Sequence, residues 1–383
     1  MKLLTRHSIG SPISWRDDRL GLLDRFRKHK SLPEILEERW KSESDGSISD
    51  MRRRGQKIWI VGPRSVNTLF SYLEMKTSLS LGRKIAHASS ESEEFLVSLQ
   101  EDPPRGRNPR KWKNFSKGRL CRGLGEIEII EDSLEKTIIL VNKFSSGPLD
   151  AGIIASTWEI ATGKRHKFRW SESKNVLMVE LTRDEVDIPS PKEMKKNWDA
   201  IDEITENSSI VQWGDIRELE SGGWEIDGER KIIIHRDLIL RFEEFTHSQI
   251  TSISGSREED YTWEDVVGNR AMWWTAVADS CRQLFLESEK HVMISDAKDW
   301  KNSSIRNLSI QGLGRLSNTK LNLENGELNS EIVGCFHPAI SGGILLGCWE
   351  RSTGVKGRIK IGSGGGVVTV NIAPKRASIA FSK

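Results

Sequence analysis

Two stretches of this 383-residue chain repeat one another in order, and this constrains its fold more than any other feature. Trp112-Lys113-Asn114 begins a segment that ends at Gly123-Leu124-Gly125, and Trp300-Lys301-Asn302 begins one that ends at Gly312-Leu313-Gly314. Downstream, Gly152, Ile153, Trp158, Glu159, Thr162 and Gly163 recur as Gly343, Ile344, Trp349, Glu350, Thr353 and Gly354, all at an offset of 191. Upstream, residues 55–60 resemble residues 228–233 at an offset of 173, so the second copy carries an insertion, expected around residues 252–265. Like units tend to pair about a twofold axis, and a pseudo-twofold dimer within one chain is the expected arrangement.

Each copy has the same coarse order. A β-rich stretch (57–61 and 231–234) leads into helical spacing, as in Leu238, Phe242 and Phe245. Strand-like runs follow at 126–130 and 137–141 in the first copy. A helix then begins at Pro148 or Pro338, where proline suits the first turn, and closes at Gly163 or Gly354. Two strands finish each unit, at 167–170 with 176–181 and at 358–361 with 367–372, the latter pair joined by a glycine-rich hairpin at 362–366. The predicted class is α+β, two tandem repeats that are each an antiparallel sheet packed with helices. The expected division is an N-terminal helical extension over 1–49, a first domain over 50–182, a linker with a helix over 183–225, and a second domain over 226–383. The seam is polar and holds Pro189 and Pro191.

Composition narrows the function classes. With 36% hydrophobic and 30% charged residues, the chain is neither disordered nor a membrane protein in character. No apolar run approaches the roughly 20 residues that span a bilayer, and the start turns polar before a signal core develops, so a cytoplasmic location is expected. Cys121, Cys281, Cys335 and Cys348 form no CxxC pair and read as reduced thiols. The net charge of +3 is uneven: residues 1–120 hold 25 basic against 15 acidic residues, and the remainder 33 against 40. The basic excess peaks at Arg105, Arg107, Arg110, Lys111, Lys113, Lys117, Arg119 and Arg122. Read alone this run is a solvated loop; with Trp112 and Phe115 interleaved, it is also a candidate nucleic-acid strip.

No G-x-S-x-G, phosphate loop, dinucleotide fingerprint or H-E-x-x-H is present, so neither an enzyme nor a cofactor is expected. The stretch 335–350, Cys-Phe-His-Pro-Ala-Ile-Ser-Gly-Gly-Ile-Leu-Leu-Gly-Cys-Trp-Glu, followed by Gly354, resembles the signature of the 4-vinyl reductase domain family. That family is similar in fold to haem-NO-binding domains and a Golgi-transport (TRAPP) subunit. The resemblance covers the second copy best, over about 228–374, and reaches the first through the repeat. It implies small-molecule binding modules that sense hydrocarbons or aromatics and report through a partner protein. Zinc-binding members place further cysteines in the final strand pair, where this chain has none.

The candidate ligand-binding residues are Trp349, Phe336, His337, Gly343, Gly347, Cys348, Trp300, Trp158 and Gly152. Ala339, Gly343 and Gly347 recur every four residues and line one helix face, which either receives a neighbouring element closely or leaves room for a ligand. Cys335, His337 and Cys348 have the atom types of a zinc site. Glu159 and Glu350 read as structural carboxylates near a helix end. The expected function is non-enzymatic binding of a small apolar or aromatic molecule, with the pocket in the second copy and the first mostly structural. The alternatives are an interaction scaffold with degenerate pockets, or a nucleic-acid binder through 105–122.

Overall fold

The structure, a computed structural model, describes residues 30–375 apart from 100–102, 109–111, 134, 188–190, 204, 209, 220–221, 256 and 323. Helix α1 (Leu32–Arg39) leads into β1 (Trp40–Ser42), β2 (Ile48–Asp50) and β3 (Gln56–Val61). Then come α2 (Pro63–Thr77), α3 (Gly82–Ser98), α4 (Lys113–Cys121), β4 (Glu126–Asp132), β5 (Lys136–Asn142), α5 (Gly147–Thr162), β6 (His166–Ser173) and β7 (Val176–Arg183). After an irregular stretch, β8 (Arg217–Glu218), β9 (Trp224–Ile226) and β10 (Glu229–His235) open a like succession. It runs through α6 (Arg236–Thr246), β11 (Tyr261–Trp263), α7 (Gly268–Glu287), α8 (Ala297–Asn307), β12 (Arg315–Asn322), β13 (Glu327–Val333), α9 (Pro338–Thr353), β14 (Gly357–Gly364) and β15 (Val367–Pro374).

The class is α+β, with largely antiparallel sheets, as the periodicities predict. One sheet has the strand order β4-β5-β7-β6. Another runs β12-β13-β15-β14, the same order, with β11 added parallel to the β14 edge. Residues 78–81 join α2 to α3, whereas 247–267 join α6 to α7 and hold the added strand. Helices α5 and α9 start with proline in the first turn and end on Gly163 and Gly354, both left-handed, at φ +67° and +70°.

The third sheet, β1-β2-β3-β10-β9-β8, joins the two halves. Strands β3 and β10 pair antiparallel with Ile60 opposite Ile233, Trp59 opposite Ile234 and Val61 opposite Ile232. Ile60 thus faces the residue 173 positions further on, and the pairs on either side of it are offset symmetrically, 175 and 171 positions apart. The Gly-Leu-Gly segments serve this seam. A Cβ on Gly123 (φ +69°) would drive into the Lys231 carbonyl of β10, and one on Gly312 (φ +80°) into the Ile58 carbonyl of β3. Only glycine lets both backbones approach so closely.

The largest hydrophobic cluster runs through both halves, from Trp59, Phe70 and Ile153 to Phe242, Trp274, Phe336 and Trp349. A second lies within the first half, around Trp112, Phe115, Ala155 and Trp158 beneath β4, β5 and β7. The stretch between β7 and β9 departs from expectation. Among its described residues there is no α-helix, only the 3-10 turn Trp213–Asp215. Instead of linking loosely it inserts Trp198 and Ala200 into the shared core and Val211, Trp213 and Ile216 beside β10. Of the expected N-terminal extension, residues 1–29 lie outside the described residues; α1 is helical, but Trp40–Ser42 and Ile48–Asp50 are strands.

Candidate functional site

Helix α9 carries most of the residues expected to bind a ligand, and its small-residue face is filled by protein. A Cβ on Gly343 would lie 2.8 Å from the Ala278 Cα, on the backbone of α7, and one on Gly347 would lie 3.0 Å from Phe285 Cδ1. In the first half, a Cβ on Gly152 would collide with the Ala86 carbonyl and Ser89 of α3. The small residues thus serve close helix packing, and the ligand reading of Gly152, Gly343 and Gly347 is corrected. Phe336 lies 6.3 Å, centroid to centroid, from Trp59 of the first half. Trp300 and Trp349 are core side chains, and the Trp349 Nε1–H donates to the Gly326 carbonyl at 2.9 Å.

His337 and the cysteines have structural roles. His337 caps α9, its Nδ1 accepting from the Ala339 amide at 3.2 Å, while Nε2 meets Glu243 Oε2 at 3.1 Å. The ring stands edge-on to Trp198 and Trp274, at 5.1 and 5.3 Å. Glu243 also accepts from Trp274 Nε1 at 3.0 Å and Arg270 Nη1 at 2.7 Å, so the carboxylate is saturated. Burial pushes the Cys335 and Cys348 thiols up to about 12, which keeps them protonated and unreactive. Among the described residues no three His, Cys, Asp or Glu side chains are grouped as a metal ion requires. Both His337 nitrogens are already engaged. The zinc set Cys335, His337 and Cys348 is corrected on those grounds.

The basic segment divides. Arg110 and Lys111 lie outside the described residues, as does the Lys113 side chain. Arg105 is exposed. Arg119 and Arg122, in contrast, are buried: Arg122 Nη1 donates to Glu93 at 2.6 Å, and Arg119 lies 3.5 Å from Asp150. Trp112 and Phe115 are core residues, their rings 5.9 Å apart and at right angles, so they offer no platform for stacking bases. Arg107 pairs with Asp132 and sits over the Trp158 ring, 5.8 Å from its centroid.

That last contact borders a cleft with a volume of about 180 Å³. Its floor is Trp158 with Ala161 and Thr162 of α5; its walls are Gly106 and Arg107, the β4–β5 turn, Lys164, His166 and Arg183. The segment after α3 is tied over the end of α5, where the Gly106 amide donates to Ala161 and Trp112 Nε1 donates to Gly106. Trp158 is fully buried, yet its Nε1–H has no acceptor. Leaving such a donor unsatisfied costs about 1–3 kcal/mol. In the second half the corresponding donor is satisfied because the β12–β13 turn drops onto Trp349 through Gly326 at φ +69°. At the offset of 191, Glu135 occupies that place in the first half. The β4–β5 turn instead forms a wall of the cleft.

Glu159, next to the floor, accepts from the His166 amide, and Glu350 accepts from the Gly357 amide in the same way, so each glutamate tethers the strand after its helix. Glu350 meets two guanidiniums, Arg257 at 2.6 Å and Arg282 at 3.0 Å. Glu159 shares one, Arg165, with Glu94, both at 2.7 Å. Burial, with Glu94 adding to it, pushes the Glu159 carboxyl up to about 7 against the His166 bond and Arg165. A raised acid favours the folded state fully below its ordinary value of 4.5, and that contribution fades as pH rises through 7. Glu159→Gln is therefore expected to gain stability relative to the parent by about 1–3 kcal/mol between pH 5 and pH 8. Urea unfolding of both proteins across that range checks this, and a constant difference refutes it.

A second, wider groove of about 660 Å³ crosses the outer face of β12–β15. Its polar side chains satisfy one another: Asn318 with Glu331, Thr319 with Ser330, Asn371 with Asn329, and Lys360 with Glu264. It presents no unpartnered donor like that of Trp158. No described helix is long and apolar enough to cross a membrane.

Compared with protein-family models, curated proteins and solved structures, the chain matches none. The reading of its function therefore rests on its own residues.

Proposed function

We propose that the chain is a non-enzymatic small-molecule binding protein built from two related units, of which the first keeps the binding site. The units pair as a pseudo-twofold dimer through β3 and β10, and the resemblance of 335–354 to the 4-vinyl reductase signature belongs to this reading. The observation that carries it is the contrast between two buried tryptophans 191 residues apart: the Trp349 Nε1–H is taken by Gly326, while the Trp158 Nε1–H, in a residue that lines a cleft, has no acceptor. A concave site that combines an aromatic side chain with a few polar groups has the elements of a small-molecule site. On this reading the site lies in the opposite unit from the one favoured on sequence grounds.

Native mass spectrometry of the full chain, with and without denaturation, tests the proposal. The expected result is a small mass that leaves on denaturation. It should be absent from Thr162→Phe, which fills the cleft, and retained by Thr353→Phe at the equivalent place in the second unit. A bare polypeptide, with no small molecule raising the melting temperature in a screen, would favour the scaffold reading instead.

A further inference from the structure

We infer that the cleft over Trp158 takes a small molecule through an oxyanion, a phosphate or a carboxylate. This rests on the reading of the cleft as the binding site and goes beyond it by naming the ligand chemistry. Four cationic side chains line the cleft, Arg107, Lys136, Lys164 and Arg183, against one acid, Glu135. Carboxylates from outside the lining partly neutralise them. Asp132 holds Arg107, Glu180 meets Lys136 at 2.9 Å, and the exposed Glu185 lies 3.4 Å from Arg183. Among the described residues no carboxylate pairs with Lys164. Carboxylates thus pair with three of the four cations, and Lys164 is the one beside the cleft left to meet an anion.

The helix end beneath the cleft does not oppose this. C-terminal carbonyls repel anions when bare, but two of them are taken here: Glu159 O accepts from the Gly163 amide, and Ala161 O from the Gly106 amide. The Trp158 ring lines the floor, and its Nε1–H is a buried donor without an acceptor. Trp198 and Trp300 also have indole N–H groups without acceptors, but neither lines this cleft or the groove on the second sheet. On the wall, His166 turns Nδ1 to the Lys164 carbonyl at 2.9 Å. Burial, together with the Arg107 and Arg183 guanidiniums, holds this imidazole below its ordinary range, so it stays neutral near pH 7. Donors and cations from four separate segments thus converge on one space. At about 180 Å³ that space accepts a compact molecule, since a cavity of roughly 150 Å³ holds a benzene.

The test is calorimetric titration of the full chain at pH 7.5 and constant sodium chloride with three probes: inorganic phosphate, succinate and neutral indole. Saturable binding of phosphate or succinate is expected, and the preferred one of the two identifies the oxyanion. Trp158→Phe keeps the ring but removes the donor, and Lys164→Gln removes the unpaired charge. Each should weaken binding about tenfold, whereas Trp349→Phe should leave it unchanged. Circular dichroism melts of all three variants show that they fold. Oxyanion binding that is indifferent to Trp158→Phe, or equally sensitive to Trp349→Phe, would mean diffuse charge attraction and overturn the inference. Indole binding that Thr162→Phe abolishes, without phosphate or succinate binding, would overturn the oxyanion and leave the cleft a binding site. No binding by any probe, together with a bare native mass, would remove both.

Discussion

Asp50→Ala is expected to destabilise the folded chain by about 3–5 kcal/mol, because it strands a group of buried cations where three parts of the chain meet. Asp50 closes β2 and is fully buried. It accepts from Arg39 of α1 at 2.9 Å, from His235 at the end of β10 at 3.0 Å, and lies 3.9 Å from Arg53. Beside it, Glu93 of α3 holds Arg122 at 2.6 Å and Arg53 at 3.4 Å. Burial works to raise the Asp50 carboxyl, but Arg39, His235 and Arg53 overcome this and hold it well below the ordinary range. Burial likewise opposes the arginines at Glu93, which Arg122 and Arg53 bring down to about 2. Removing either carboxylate leaves a low-dielectric site with too few negative charges, and no nearby side chain replaces them. An exposed pair is a suitable contrast: Lys360–Glu264 is about half exposed at both ends, and Glu264→Ala should cost under about 1 kcal/mol.

The same cluster sets the acid limit of the fold. Burial brings the His235 imidazole down to about 3, helped by Arg53 and Arg122 against its bond to Asp50. All three groups are depressed, so each contributes fully above its ordinary value and loses that contribution as pH falls. For His235 the loss runs from about 6.5 toward 3, and for Glu93 from about 4.5 toward 2. Urea unfolding of the parent should show its midpoint falling steadily below pH 6.5. In Asp50→Ala the midpoint should already be low at pH 7, and a midpoint equal to the parent's there would dismiss the cluster as a source of stability.

The local grammar of this chain was readable, and what lay between distant segments was not. Strand alternation, the prolines of α5 and α9, and Gly163 and Gly354 placed the elements of each unit, because each signal acts within one turn or one hairpin. Arg119 and Arg122 read as part of a solvated basic run because residues 103–125 hold no acid. Their partners, Asp150 and Glu93, come from α5 and α3. Helix period alone leaves a stripe such as Ala339, Gly343 and Gly347 equally open to a ligand or to another helix; only the backbone of α7 decides. The cleft was missed for a related reason, since Trp158 in isolation is simply a core tryptophan. One signal was there: Gly326, which lets a turn descend onto Trp349, has Glu135 as its counterpart above Trp158.

Gly343→Ala should be among the most damaging single methyl groups that can be added to this chain. In an open helix the change would help, since alanine exceeds glycine by about 1 kcal/mol in helix propensity. Here the new methyl points into the backbone of α7, 2.8 Å from the Ala278 Cα and closer still to its carbonyl oxygen. A backbone cannot rotate away as a side chain can, so α7 and α9 must separate along their length. Overpacking of this kind costs typically 1–3 kcal/mol and more where main chain is struck, which outweighs the propensity gain. We expect a net loss of about 3 kcal/mol. Gly347→Ala comes no closer than 3.0 Å to Phe285 and 3.1 Å to the Arg282 carbonyl, a much smaller overlap, and should cost distinctly less. Gly152→Ala strikes the Ala86 carbonyl of α3 and should match Gly343→Ala, because α5 packs on α3 as α9 packs on α7. Urea unfolding of the three variants gives the ranking. Equal losses at Gly152 and Gly343, both exceeding Gly347, would show that the two helix pairs depend on the same close approach. A neutral or stabilising Gly343→Ala would mean that α9 stands further from α7 than described, and would reopen its small-residue face to a ligand.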